Sequence, residues 1–138
     1  MITLHYLQCS RSFRILWALE ELGMDYQVEY YQRLPSYAAP ESLKQIHPLG
    51  KAPILVDDEN VIVESAVILD YLQQQYDVKQ QFKPQQFKDQ LQYSYWMHYA
   101  EGSLMPLLVM TLVINNVSKH VPWIIRPVAE KITDGVKA

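Results

Sequence analysis

Thiols are nearly absent from this 138-residue chain: Cys9 is its single cysteine. No disulfide can form within it, and a reducing compartment, the cytoplasm, is the expected setting. Charge of one sign is not in excess, since 12 Lys and Arg against 15 Asp and Glu leave a net charge of −3. That balance gives no electrostatic footprint for nucleic acid. No cluster of residues has metal-ligand spacing, so no metal is expected. The start, Met1-Ile2-Thr3-Leu4-His5, has neither a basic segment nor a long apolar core and does not read as a signal peptide. The longest apolar-rich run, Leu104 to Ile114, falls short of the ~20 residues a spanning helix needs. It reads as a buried helix, and no membrane partner is expected. Internal repeats and low-complexity segments are missing too. What is present is a core: 49% of residues are hydrophobic and 20% charged, a soluble globular composition.

The chain opens on a β-branched and aromatic run, Ile2 to Tyr6, which predicts a strand. From Ser12 the pattern turns helical, with Ile15, Leu19 and Leu22 on one face, Glu20 and Glu21 on the other, and Gly23 placed to stop it. Asp25 to Tyr31 alternates, with Tyr26, Val28 and Tyr30 on one side, and predicts a second strand parallel to the first. Residues 33–46 read as loop with a short helix near Ser42. Pro53–Val56 and Val61–Val63 flank the polar turn Asp57-Asp58-Glu59-Asn60 and predict a hairpin. A helix follows over Ser65–Tyr76, with Ile68, Leu69 and Leu72 inward. Residues 78–84 are polar and end at Pro84, a plausible linker. Beyond it no strand signal occurs. A long helix is predicted over residues 85 to about 116 with a kink at Pro106, and another from Pro122 toward Lys137.

The organising stretch is His47-Pro48-Leu49-Gly50-Lys51-Ala52-Pro53-Ile54-Leu55. A basic turn and a Pro-led strand are followed closely by Glu64-Ser65 at a helix start. Together with Ser10-Arg11-Ser12-Phe13-Arg14 in the first strand-to-helix loop, these motifs resemble the glutathione S-transferase family, in its bacterial, theta-like, serine-type branch. The order βαβ-α-ββα matches that family's α/β thioredoxin-like domain, followed by an all-α domain. The domains expected are 1–77 for the glutathione-binding domain, 78–84 for the linker and 85–138 for a partial helical domain. The family's chains run longer by several helices. The natural polypeptide is therefore expected to continue past Ala138, and the exposed apolar helices of this shorter chain to self-associate.

The resemblance implies roles residue by residue. Ser10 would donate to the glutathione sulfur, favouring its thiolate, whereas on local sequence alone a serine there caps a helix. Cys9, the second choice, stands where some relatives form mixed disulfides with glutathione; otherwise it is a small hydrophobe. Tyr6, the third, matches a tyrosine used elsewhere in the family, but a strand aromatic packed on the core is the simpler reading. Ala52 and Pro53 would form a cis bond that turns the Ala52 N–H and C=O toward the cysteinyl backbone of glutathione. Lys51 would pair with its glycyl carboxylate. Ser65 would take the γ-glutamyl carboxylate at a helix N-terminus, with Glu64 beside the amine. Glu101, in a helix like the one that makes much of the family's dimer interface, would reach across to the glutathione of a partner subunit. The function implied is conjugation of glutathione, as co-substrate, to a small electrophilic apolar compound. That is a cytoplasmic detoxification reaction of a homodimer. The rivals are a Cys9-dependent thiol transferase and a non-catalytic binding or scaffold module.

Overall fold

The computed structural model describes residues 1–120, with side chains as far as Asn115. The predicted helix over Pro122–Lys137 lies outside them. The chain divides into two compact units, the first ending at Phe87 and the second beginning at Lys88.

The first unit runs β1 (Ile2–Leu7), α1 (Ser12–Leu22), β2 (Tyr26–Tyr31), a 3-10 turn (Glu41–Gln45), β3 (Ile54–Asp57), β4 (Asn60–Val63) and α2 (Ser65–Tyr76). The sheet order is β2-β1-β3-β4. β1 and β2 are parallel, whereas β3 runs antiparallel to both β1 and β4. This is the thioredoxin-like arrangement expected from the sequence. Residues two apart on β1 share a face, so Ile2 and Leu4 enter one cluster. Ile15 and Leu19 of α1 and Ile68 and Leu72 of α2 join them at helical i,i+4 spacing, along with Leu55 of β3. Burying each such side chain is worth about 1.5–3 kcal/mol, so the amphipathic faces of the two helices are what fix them to the sheet.

Punctuation follows the backbone. Gly23 takes a left-handed conformation, φ 64°, and its N–H donates to Glu20 while that of Met24 donates to Leu19, closing α1. Gly50 also has a positive φ of 59°, and a Cβ there would lie 2.6 Å from Cγ of Lys44. The hairpin turn is tighter than the four polar residues predicted, since Asp57 and Asn60 pair as strand residues. Asp57 is buried and accepts the Tyr71 hydroxyl at 2.8 Å and that of Tyr76 at a closer approach. The Tyr76 bond, opposed by desolvation and aided by Tyr71, holds its carboxyl below the ordinary range. On β2, Tyr26 and Val28 are half-buried but Tyr30 is 71% exposed, so the alternation fails at the end of that edge strand.

The second unit holds α3 (Phe87–Tyr99, most of it), a π segment (Ala100–Leu104) and α4 (Met105–His120). Where the sequence predicts a kink at Pro106, a π turn ends two residues earlier, at Leu104. A proline lacks the N–H that an α-helix would donate one turn back, and a π bulge accommodates such a gap. Tyr95, Trp96 and Tyr99 form a mutual aromatic cluster, with centroids 5.2–5.9 Å apart. Two expectations need correction. No residue from Lys88 to Asn115 is buried, so Leu104–Ile114 is not a buried helix within this unit. The long helix predicted over residues 85 to about 116 is present, but the expectation that its apolar run is too short to span does not carry to the whole of it: Phe87–Asn115 is 29 residues, long and apolar enough by length and composition to cross a membrane. The π turn joins α3 to α4 rather than separating them.

Candidate functional site

Strand directions gather the predicted residues. β1 ends at Leu7, beside the start of β3, because His5 pairs with Ile54. Ile54 in turn pairs with Val63, so β4 ends at the same place. The loop carrying Cys9 and Ser10, the turn carrying Lys51, Ala52 and Pro53, and the start of α2 at Glu64 and Ser65 therefore leave one end of the sheet. Glu101 lies in the π segment of the second unit.

The β1–α1 turn is held by hydroxyls. Ser10 Oγ lies 2.7 Å from the Leu7 carbonyl and 2.8 Å from Ser12 Oγ, and it accepts the Ser12 N–H at 3.1 Å. Ser12 Oγ accepts the Leu7 N–H at 3.2 Å. Ser12 is fully buried and Ser10 half-buried. Ser10 thus does the capping work that the local sequence alone suggested, one residue ahead of the N-cap Arg11, whose own side chain makes no cap bond. Cys9 is exposed, not a buried hydrophobe, and takes a left-handed φ of 51°, so the loop here is a turn and not extended chain. Tyr6 is half-buried against the helix-side core, its ring 5.2 Å from that of Tyr30, which is the packing role.

The second half of the site is unsatisfied. Ala52–Pro53 is cis, as expected, with Pro53 buried, Ala52 half-buried and Lys51 exposed. Glu64 is the N-cap of α2, exposed, with φ 68° and ψ 125°. Few side chains adopt that region, at a cost of order 1–3 kcal/mol, and such outliers cluster at ligand sites. Ser65 follows as the first helical residue, 2% exposed, and its Oγ has no hydrogen-bond partner. A buried hydroxyl without a partner costs about 1–3 kcal/mol. Placed at a helix N-terminus, where N–H groups and the helix dipole favour anions, it suits a carboxylate.

Sequence reading missed Arg33. Its guanidinium donates to the carbonyls of Gln8 (2.9 Å), Cys9 (3.1 Å) and Tyr37 (2.7 Å), tying the Ser10 loop to the segment after β2. Nothing in the local sequence flags it; only the parallel pairing that sets Leu7 beside Tyr31 brings Arg33 near that loop.

Comparison with known proteins agrees with this architecture. Residues 1–74 match the family model described as glutathione S-transferase, N-terminal domain. The chain is 39% identical over 140 residues to glutathione S-transferase 3 of Schizosaccharomyces pombe, aligning 100% of itself with 57% of that protein. A glutathione S-transferase structure from Actinobacillus pleuropneumoniae superposes with a TM-score of 0.75 at 36% identity, over 99% of this chain and 62% of that one. A theta class glutathione S-transferase from Xanthomonas axonopodis pv. citri, solved with glutathione bound, gives 0.63 at 25% identity, over 77% of this chain and 51% of that one. The chain thus spans less than two thirds of each of these proteins. With the sheet order, the cis proline and the family match covering more than half of its residues, the chain belongs to the glutathione S-transferase family.

Proposed function

We propose that the protein is a glutathione transferase that binds glutathione at the sheet end where β1 finishes and stabilises its thiolate. The sulfur lone pair then forms a bond to an electrophilic carbon of a small apolar compound, and the leaving group departs with the bonding pair. The carrying observation is Ser65 Oγ: buried, partnerless and at the start of α2, it suits the γ-glutamyl carboxylate. Ala52 would meet the cysteinyl backbone, Lys51 the glycyl carboxylate, Glu64 the amine and Ser10 the sulfur. The glutathione carried by the Xanthomonas relative's structure supports the same ligand here. Detoxification in a reducing cytoplasm, by a homodimer in which Glu101 reaches the partner's site, belongs to this proposal.

Calorimetry of glutathione binding, with the thiol pKa read from thiolate absorbance, tests it. Saturable binding with the thiol pKa below that of free glutathione is expected; no binding, or an unshifted thiol, overturns it. A second reading rests on the exposure of Cys9: its thiolate would attack a glutathione mixed disulfide, form a new S–S bond and release the other thiolate. Activity on mixed disulfides that Cys9→Ala abolishes would favour that reading.

A further inference from the structure

Two hydroxyl protons serve the Ser10–Ser12 pair, and their distribution is fixed by what surrounds them. The Leu7 carbonyl carries no proton, so the 2.7 Å contact to it is a hydrogen bond only if Ser10 donates. Ser10 has then spent its one proton, and the 2.8 Å contact between the two oxygens must be a donation from Ser12. The Leu7 N–H, 3.2 Å from Ser12 Oγ, occupies an acceptor position of Ser12 and leaves its proton directed at Ser10. The resulting chain runs Leu7 N–H to Ser12, Ser12 O–H to Ser10, Ser10 O–H to the Leu7 carbonyl.

We infer that Ser12 is a positioning residue for Ser10. The inference rests on the reading of Ser10 as donor to the glutathione sulfur. When the thiolate arrives, Ser10 turns its proton from the Leu7 carbonyl to the sulfur. No bond to a heavy atom changes; one hydrogen bond replaces another. Ser12 keeps donating throughout, holding Ser10 Oγ in place while its proton swings. A hydroxyl that accepts a hydrogen bond is also a better donor, by roughly 10–30% in bond strength. Being fully buried, Ser12 touches neither sulfur nor electrophile and acts only through Ser10.

The test is the pKa of bound glutathione in the full chain, for Ser10→Ala, Ser12→Ala and the double variant, with calorimetric affinity beside it. Ser10→Ala should raise the thiol pKa by about one to two units. Ser12→Ala should raise it by about half a unit, with affinity held within about twofold. The double variant should match Ser10→Ala, because one effect passes through the other. An unmoved thiol pKa in Ser12→Ala, or an equal further rise when it is added to Ser10→Ala, overturns the inference. An unmoved pKa in Ser10→Ala instead removes the reading of Ser10 beneath it. If Ser12→Ala does not fold, Ser12→Cys keeps the shape with a weaker donor; it too should raise the thiol pKa, and no rise overturns the inference.

Discussion

At the start of α1, Ser10 and Ser12 satisfy each other and the Leu7 backbone. At the start of α2, Ser65 is as deeply buried as Ser12, yet its hydroxyl has no partner and the preceding Glu64 sits in a rare backbone conformation. The same residue type, at the same sheet end and at the same point of a helix, is a finished local structure in one case and an open valence in the other. A serine at a helix N-terminus is therefore not informative alone; what it lacks is. A completed network contributes to folding before any ligand arrives. An unpartnered hydroxyl contributes only when a ligand supplies the missing atom.

Substitutions at four positions would break or sharpen that contrast. The largest effect is expected from Ser65→Ala. Removing a bond to a carboxylate costs about 1.5–3 kcal/mol, so glutathione affinity by calorimetry should fall about tenfold to a hundredfold. The unfolding midpoint should hold or rise slightly, because no folded-state bond is lost. A clear loss of stability would place Ser65 with the finished networks. Ser10→Ala should give the opposite signature. Glutathione stays bound, the thiol pKa rises by about one to two units, and urea unfolding shows a loss of about 1–2 kcal/mol, since the Ser12 N–H and the Leu7 carbonyl lose their partner.

Arg33→Ala should loosen the first turn from outside, lowering stability by about 1 kcal/mol with a matching fall in conjugation rate. Arg33→Lys should not restore it, because one ammonium cannot reproduce the guanidinium fork on three carbonyls. Cys9→Ala is the smallest. At an exposed site the change should stay within about 0.5 kcal/mol, or roughly twofold in rate. A conjugation assay that dies with Cys9→Ala but survives Ser10→Ala would exchange the roles of the two residues.

Much of the first unit was legible because its signals are local. The Ile15/Leu19 and Ile68/Leu72 spacings and the Gly23 stop each lie within a few residues of the structure they make, and they place α1 and α2. The cis bond at Ala52–Pro53 followed from the family resemblance, since local sequence alone favours trans. The strand limits shifted by a residue, as at Leu7 and Asp57, because pairing partners rather than composition decide where a strand ends. The Arg33 clamp acts on carbonyls 24 and 25 residues earlier in the chain. The hydroxyl chain of Ser10 and Ser12 depends on a turn whose Cys9 is left-handed, which no residue preference announces. The orphan hydroxyl of Ser65 is visible only once its neighbours are placed. Resemblance pointed to Ser65; three-dimensional accounting gave the physical reason.

The π turn at Ala100–Leu104 has a consequence for any helical wheel drawn through this region. One residue inserted into an α-helix rotates everything after it by about 100°. The apolar Leu107, Leu108, Leu112 and Val113 therefore do not fall, relative to Tyr95, Trp96 and Tyr99, where a continuous 3.6-residue count would put them. A wheel started at Phe87 assigns α4 to the wrong bearing by more than a quarter of a circle. Cysteine or spin-label pairs chosen from such a wheel would miss, whereas pairs chosen with the count reset at Met105 should face one another.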